Sequence, residues 1–575
     1  MIYCLTFIKR EMNSNIYIQI ARTTLAILLV SSLTFFAGCS KTEKKEVISP
    51  ENITNLRINV LGSTDVAEEP ASTNGSKLAS VQPTETALPV QGELEEYKSF
   101  DAVVTVQEGA SRVQKLAPAS QNGLRTNGRA AAVMPQGIQY RVLIYQNGKF
   151  LTSKLAASGS PLDVEVAKGA TYTWIAYSYN KDNTVILPDV ANTASPTIPT
   201  GENNDLLHAS GSITIPNTAG TIVTPLDITF NHKLRRIGIE LNTQGMFADL
   251  LAAQITFAGN YFKKGTLDLQ TGQLTGALQP YDAAPVTNAF QQSPVHGFKD
   301  RNVFYFYSAD PTAINNVQLT VNSFSLVLDN NDIRTFSTPT TFAPFNIPAI
   351  SALGKSQTAE VDLIESPITI AGVKWARSNL YYHPTATQNR YRFHHMNEQT
   401  SMRNSYWPWH GITPDDKVGT SDPCTLVHPV GTWKTPTPAQ LTTLLNTTPT
   451  YDTRSPRNIS YPGTGASTPY PNGNTLTIPL NGYGSGLQLL GLTLIPFSTP
   501  DLGQRVHLWS DDPTINLLNL VNVGVNFYSG RNERLTIGGE KHSTEMASTL
   551  LSNVNLLGIE LLSSGYKNIR CVRAD

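Results

Sequence analysis

The sequence predicts a mainly-β fold, and three observations predict it. Short apolar runs are separated by turn signals about every ten residues, the spacing of β-sandwiches. The chain is rich in Thr, Ser, Asn, Gly and Pro, and only 15% of it is charged. Five of the six tryptophans and seven of the ten histidines lie beyond residue 367, which marks a last region of different character. At 100–200 residues per domain, 575 residues suggest about three domains.

The first element is a leader. An apolar stretch begins near Leu25 and ends Phe35-Phe36-Ala37-Gly38-Cys39. Small residues before a cysteine at the end of such a stretch read as a bacterial lipoprotein signal peptide. On that reading 1–38 is removed and Cys39 is acylated. The acyl chains anchor the protein, each buried CH₂ contributing about 0.8 kcal/mol. An ordinary cleaved signal or a short anchor is the alternative, although the run is shorter than the ~20 residues a spanning helix needs. Phe36 departs from the leucine usual at that position. Translation starts at Met1 or at Met12, and the second start would delete Cys4. Residues 39–54 are a polar tether.

Strands follow in order. Residues 56–61 and 100–106 alternate apolar and polar side chains. Residues 140–145 run into Asn147-Gly148, a strong hairpin turn pair, with Phe150-Leu151 starting the return strand. Further strands are expected at 162–166, 172–179, 226–230, 236–241, 253–257, 303–307, 319–328 and 359–363. A short helix is expected at 246–251. The expected domains are a first sandwich over 55–232, a second over 233–363, and an α+β domain over 367–575. In the last, Thr437-Pro438-Ala439-Gln440 is a capping box with proline at the first helical position, and Leu441, Leu444 and Leu445 share one face.

The net charge is −1, with no basic stripe of the kind that nucleic acid requires. With Cys4 and Cys39 set aside, two cysteines remain, Cys424 and Cys571. In an extracytoplasmic chain these are expected to pair; two free buried thiols are the alternative.

Residues 140–145 with Asn147-Gly148, then 169–178, then Ile228-Thr229-Phe230-Asn231-His232-Lys233-Leu234 resemble the fimbrillin family of Bacteroidetes surface lipoproteins, over roughly 55–363. The resemblance implies two β-sandwiches of transthyretin-like topology. It implies pilus subunits, or anchor and tip accessories, that reach the outer membrane as lipoproteins. It further implies proteolysis after a basic residue and replacement of the lost strand by one from a neighbouring subunit. An open groove and unpaired backbone groups drive that exchange. By position, Arg57, Arg125 and Arg129 are candidate processing points, and no motif distinguishes among them.

The last 210 or so residues resemble a second family. Residues 370–380, 431–437, Gly482-Tyr483-Gly484, Leu508-Trp509-Ser510 and 569–573 follow in order. They are similar to the Fibrobacter-succinogenes-type major paralogous domain, which implies a C-type-lectin-like fold. Cys424 stands seven residues before Gly431, whereas the family places Cys-Pro directly before Gly-Trp.

Tyr406-Trp407-Pro408-Trp409-His410 lies in a loop-like stretch. Exposed there, Tyr406, Trp407, Trp409 and His410 would form a candidate ligand platform, with rings stacking on sugars. Buried, they would be the core of a loop-rich domain. The histidines match no zinc spacing. Asp415-Asp416 and Asp511-Asp512 are weak calcium candidates, since a site wants six to eight oxygens. No metal, cofactor or catalytic residue is expected, and no enzyme motif is present.

The expected function is a surface fimbrial subunit or tip, anchor or accessory adhesin. Its expected partners are other subunits, through strand exchange, and a host or bacterial glycan or protein bound by the last domain. Its location would be the outer membrane, through the lipid. The alternative is a glycan-capture lipoprotein serving nutrient uptake.

Overall fold

In the computed structural model, alternation of apolar and polar residues becomes strands almost everywhere the pattern runs. Strands hold 52% of the chain and helices 4%. The structure describes residues 52–64, 67–68, 92–107, 133–220, 223–292, 299–416, 420–489, 492–517, 521–524, 526–548, 553–556 and 559–574. Thr54–Asp575 is one compact unit.

The first sandwich is a single path of seven hydrogen-bonded strands. Its order is Lys149–Ala157, Gln139–Gln146, Thr171–Ser178, Leu207–Thr214, Val223–His232, Ile53–Ser63 and Leu162–Ala167. The path folds over where Leu207–Thr214 meets Val223–His232, because only two residue pairs join them. The two halves then face each other. Tyr140, Val142, Ile144 and Trp174 from one half pack on Leu56, Ile58, Val164, Val166, Leu226 and Ile228 from the other. Asn147 and Gly148 both have positive φ, 51° and 75°, as the expected hairpin turn requires.

The second sandwich stacks two sheets. One runs Arg301–Ser308, Arg235–Gly245, Lys355–Ile364, Asp101–Gln107 and Leu94–Glu96; the other holds Asp249–Phe257 and Leu319–Val327. Ile237, Ile239, Phe304, Phe306, Val361 and Leu363 meet Ile255, Val321, Phe324 and Leu326 in its core. The chain is not laid out as two successive blocks. Asp101–Gln107 pairs antiparallel with Lys355–Ile364, from Asp101 opposite Ile364 to Gln107 opposite Thr358. The segment therefore belongs to the second sandwich, although 55–232 was expected to be continuous. Period-2 alternation specifies a strand and its buried face, but it leaves the partner strand open. A seam of Leu143, Tyr145, Ile175 and Tyr177 against Leu267 and Leu269 joins the two sandwiches.

Residues 246–251 are not helical. They form a tight turn, Met246 N–H to Thr243 O at 2.9 Å and Phe247 N–H to Gln244 O at 3.0 Å, that opens the strand Asp249–Phe257. Phe247 takes a φ of 56° and enters the core of the last domain.

That last domain is built from short sheets around two cores. Val572–Arg573 lies between Trp433–Lys434 and Val373–Trp375. Its one α-helix among the described residues is Pro438–Leu445. Thr437 caps it, with the expected capping box formed to Gln440 and with Leu441 and Leu444 buried.

Candidate functional site

The aromatic stretch 406–410 becomes core. Tyr406, Trp407 and Trp409 are buried, and each polar ring atom finds a carbonyl inside the domain. The Tyr406 hydroxyl lies 2.7 Å from Thr400 O and 2.5 Å from Asn481 O. Trp407 Nε1 donates to Leu380 O at 3.3 Å, and Trp409 Nε1 to Ser510 O at 3.0 Å. Trp509 Nε1 returns a bond to Trp407 O at 2.8 Å. His410 stacks on Trp409, with centroids 4.0 Å apart, and its Nε2 lies 2.9 Å from Asp511. The expected ligand platform is therefore corrected for Tyr406, Trp407 and Trp409, while His410 is half-buried at its margin. Between the strands Tyr391–Phe393 and Trp433–Lys434 the described residues form no strand, so buried rings rather than a ladder fix this stretch in place.

Cys424 and Cys571 are joined, with Cα atoms 5.9 Å apart. Asp422 braces the bridge by accepting from Cys424 N–H at 2.9 Å and from Thr435 N–H at 2.7 Å. One residue of each acidic pair has a partner: Asp511 lies 2.9 Å from His410 Nε2, and Asp415 3.6 Å from the Arg403 guanidinium. Among the described residues, no group of three or more His, Cys, Asp and Glu is placed to hold a metal. No described helix is long and apolar enough to cross a membrane.

The processing candidates fare differently. Arg57 sits within Ile53–Ser63, its neighbours Leu56 and Ile58 fully buried. It forms a two-pronged pair with Asp163 on the adjoining strand, both contacts 2.9 Å. Cys39, Arg125 and Arg129 lie outside the described residues.

Sequence reasoning missed the junction between the second sandwich and the last domain. Glu365 is buried there, 3.5 Å from Arg334. Desolvation pushes its carboxyl above the usual range, against the pull of the surrounding arginines. Arg377 donates to Ser366, Ala466 and Gly473, and its guanidinium lies 3.6 Å from the Tyr470 ring centroid. Arg392 holds Asp329 at 2.9 and 2.6 Å. His428 lies 3.2 Å from Asp362. Apolar side chains are exchanged as well. Tyr470 and Ala466 enter the sandwich core, while Phe247 packs edge-on against Phe393, 5.3 Å away. A small cleft of about 20 Å³, the size of a water or two, opens at this junction, lined by Arg334, Glu365, Arg377, His395, Asn397 and Tyr470. The sequence signal was the density of arginine beside aromatic residues after 367, which composition alone leaves without partners.

No protein-family model matches the chain, and no curated protein matches it. Solved structures do. A Bacteroides fragilis chain described as a candidate cell adhesion protein is 12% identical, covers 54% of this chain and 92% of its own, and gives a TM-score of 0.28. The fimbrial anchor protein Mfa2 of Porphyromonas gingivalis is 11% identical over 34% of this chain and 74% of its own, TM-score 0.20. A Bacteroides thetaiotaomicron structure described as polysaccharide-binding is 12% identical over 35% and 72%, TM-score 0.20.

Proposed function

We propose that this chain is a non-enzymatic, surface-exposed fimbrial subunit or accessory adhesin of the fimbrillin type, carried to the outer membrane on an acylated Cys39. The observation that carries the reading is the strand Ile53–Ser63. It lies parallel to Val223–His232, from Asn55 opposite Val223 to Ser63 opposite Phe230. Leu56 and Ile58 from it fill the core of the first sandwich. An amino-terminal strand that completes a sheet through main-chain bonds and two apolar anchors is a strand that another subunit's segment can replace.

The last domain serves as a binding head on this assembly part. Its ties to the second sandwich suit a head that must transmit load. The burial of Trp407 and Trp409 removes the aromatic platform from this head and from the glycan-capture alternative alike. The C-type-lectin-like reading of the head rests on the order of its sequence motifs.

Deleting residues 53–63 tests the exchange. The deleted chain is expected to bind a synthetic peptide of that sequence and to expose apolar surface to a reporter dye. A deleted chain that neither binds the peptide nor takes up dye would sink the assembly reading. Truncation at 364 tests the head, and unchanged cell adhesion would count against it.

A further inference from the structure

Among the described residues, the seven-strand path of the first sandwich leaves its two end strands open. Lys149–Ala157 ends the seven-strand path and, among the described residues, is hydrogen-bonded on one side only, to Gln139–Gln146. Native edge strands are usually short, or blunted by charge or proline. This one is nine residues long and has no proline, and its only charges are Lys149 and Lys154. Phe150, Leu151 and Leu155 on it are 39%, 46% and 46% exposed.

Register places these residues. Lys154 stands opposite Val142 and Thr152 opposite Ile144, on the core face of the sandwich. Leu155 stands opposite Arg141 and Ser153 opposite Leu143, on the other face. Leu143 and Tyr145 carry that face into the seam with the second sandwich. The exposed apolar row on the edge therefore continues an interface the molecule already uses. A bulge at Ile144/Tyr145 leaves Leu151 without a residue directly opposite.

We propose that this edge pairs with the same edge of a second copy, antiparallel about a two-fold axis at Ser153. The sequence Leu151-Thr152-Ser153-Lys154-Leu155 is self-complementary about its centre. The two-fold sets Leu151 against Leu155 twice and Thr152 against Lys154, while Phe150, beyond the bulge, lies on the seam face and Ala156 on the core face. No like charges fall opposite each other, which the pairing of directly opposed residues penalises. A two-fold contact needs this self-complementarity, residue i meeting j while j meets i. The other terminal strand of the path, Leu162–Ala167, presents exposed Asp163 and Glu165 and lacks such symmetry.

Sedimentation equilibrium of the full chain tests the pairing. A monomer–dimer equilibrium is expected, weakened about tenfold or more by Leu155→Lys. Ser153→Cys is expected to give an interchain disulfide under oxidation, located by peptide mapping at position 153 of both copies. That second readout decides the matter if Leu155→Lys fails to fold. A monomer at every concentration with no bridge at 153 overturns the proposal. So does a dimer that resists Leu155→Lys, or one lost instead on Glu165→Lys, which would put the acidic strand in the contact.

Discussion

Arg573 donates from Nη2 to Asp101 Oδ2 at 2.5 Å, across 472 positions of sequence, and both side chains are buried. The pair ties the last domain to a strand of the second sandwich. The Arg573 guanidinium also lies 3.9 Å from the Trp433 ring centroid and donates to Glu365 O at 2.9 Å. Beside it, Glu96 and Lys374 make an exposed ion pair between the same two parts.

Desolvation pushes the Asp101 carboxyl up to about 6, with Arg573 opposing it. A folded pKa above the unfolded value of about 3.8 means that the native state holds the proton more tightly between pH 4 and 6. Stability from this group is therefore present at low pH and lost as pH rises through about 6. Asp101→Asn removes that dependence. Wild type should gain up to about 3 kcal/mol on the variant as pH falls from 7 to 4. Denaturant melts of both proteins at the two pH values check it, and parallel pH profiles would refute it.

Trp407 and Trp409 are the clearest stability positions. Each is buried and bonded through Nε1. Truncation to alanine should cost about 3–5 kcal/mol, the range for large rings in cores. Any loss of the proposed adhesion should track loss of folded protein. A Trp409→Ala chain that melts like wild type yet no longer adheres would restore the exposed-platform reading.

Some of this was legible because its signals are local. Asn147-Gly148 fixes a turn by its own backbone preferences, and Thr437 with Gln440 closes a cap within four residues. Counting cysteines named Cys424 and Cys571. The rest depends on distant partners. Asp101–Gln107 alternates as cleanly as any strand, yet only three-dimensional pairing assigns it to Lys355–Ile364. A Tyr-Trp-Pro-Trp run reads equally as platform or core. Arg377 and Arg573 look like surface charges until Tyr470 and Trp433 are placed under them.

The Cys424–Cys571 bridge closes a separation of 147 residues. In the chain-entropy model a loop of that size stabilises by about 5 kcal/mol. Cys571→Ser, or reduction of the wild type, should lower the melting of the last domain and, through Tyr470 and Ala466 in its core, of the second sandwich. Equal thermograms with and without reductant would contradict it.

Native proteolysis should spare the bond after Arg57. The strand Ile53–Ser63 is flanked on both sides in its sheet, and a protease needs the chain drawn out of it. Limited trypsin digestion of the folded chain, followed by mass mapping, reads this directly. Early cleavage at 57 would mean that the strand opens easily, and would raise Arg57 above Arg125 and Arg129 as a candidate for processing.

Lys567 is buried, its ammonium 3.9 Å from the Trp509 ring centroid and 4.5 Å from that of Phe527. Burial lowers its pKa to about 7. His507 nearby is held down to about 3, chiefly by its own burial and then by Lys567 and Arg505, so it adds no charge at neutral pH. The ring faces return part of the desolvation cost, about 2 kcal/mol for a desolvated cation. A depressed folded pKa gives stability that is present at high pH and lost as pH falls through about 7. Wild type should therefore gain about 2 kcal/mol between pH 7 and pH 9. Lys567→Met, similar in length and uncharged, should abolish that gain and match or exceed wild type at pH 7. Thermal melts of both at the two pH values decide it, since a variant less stable at pH 7 with the slope retained would mean that the ammonium is better solvated than its position among the rings implies.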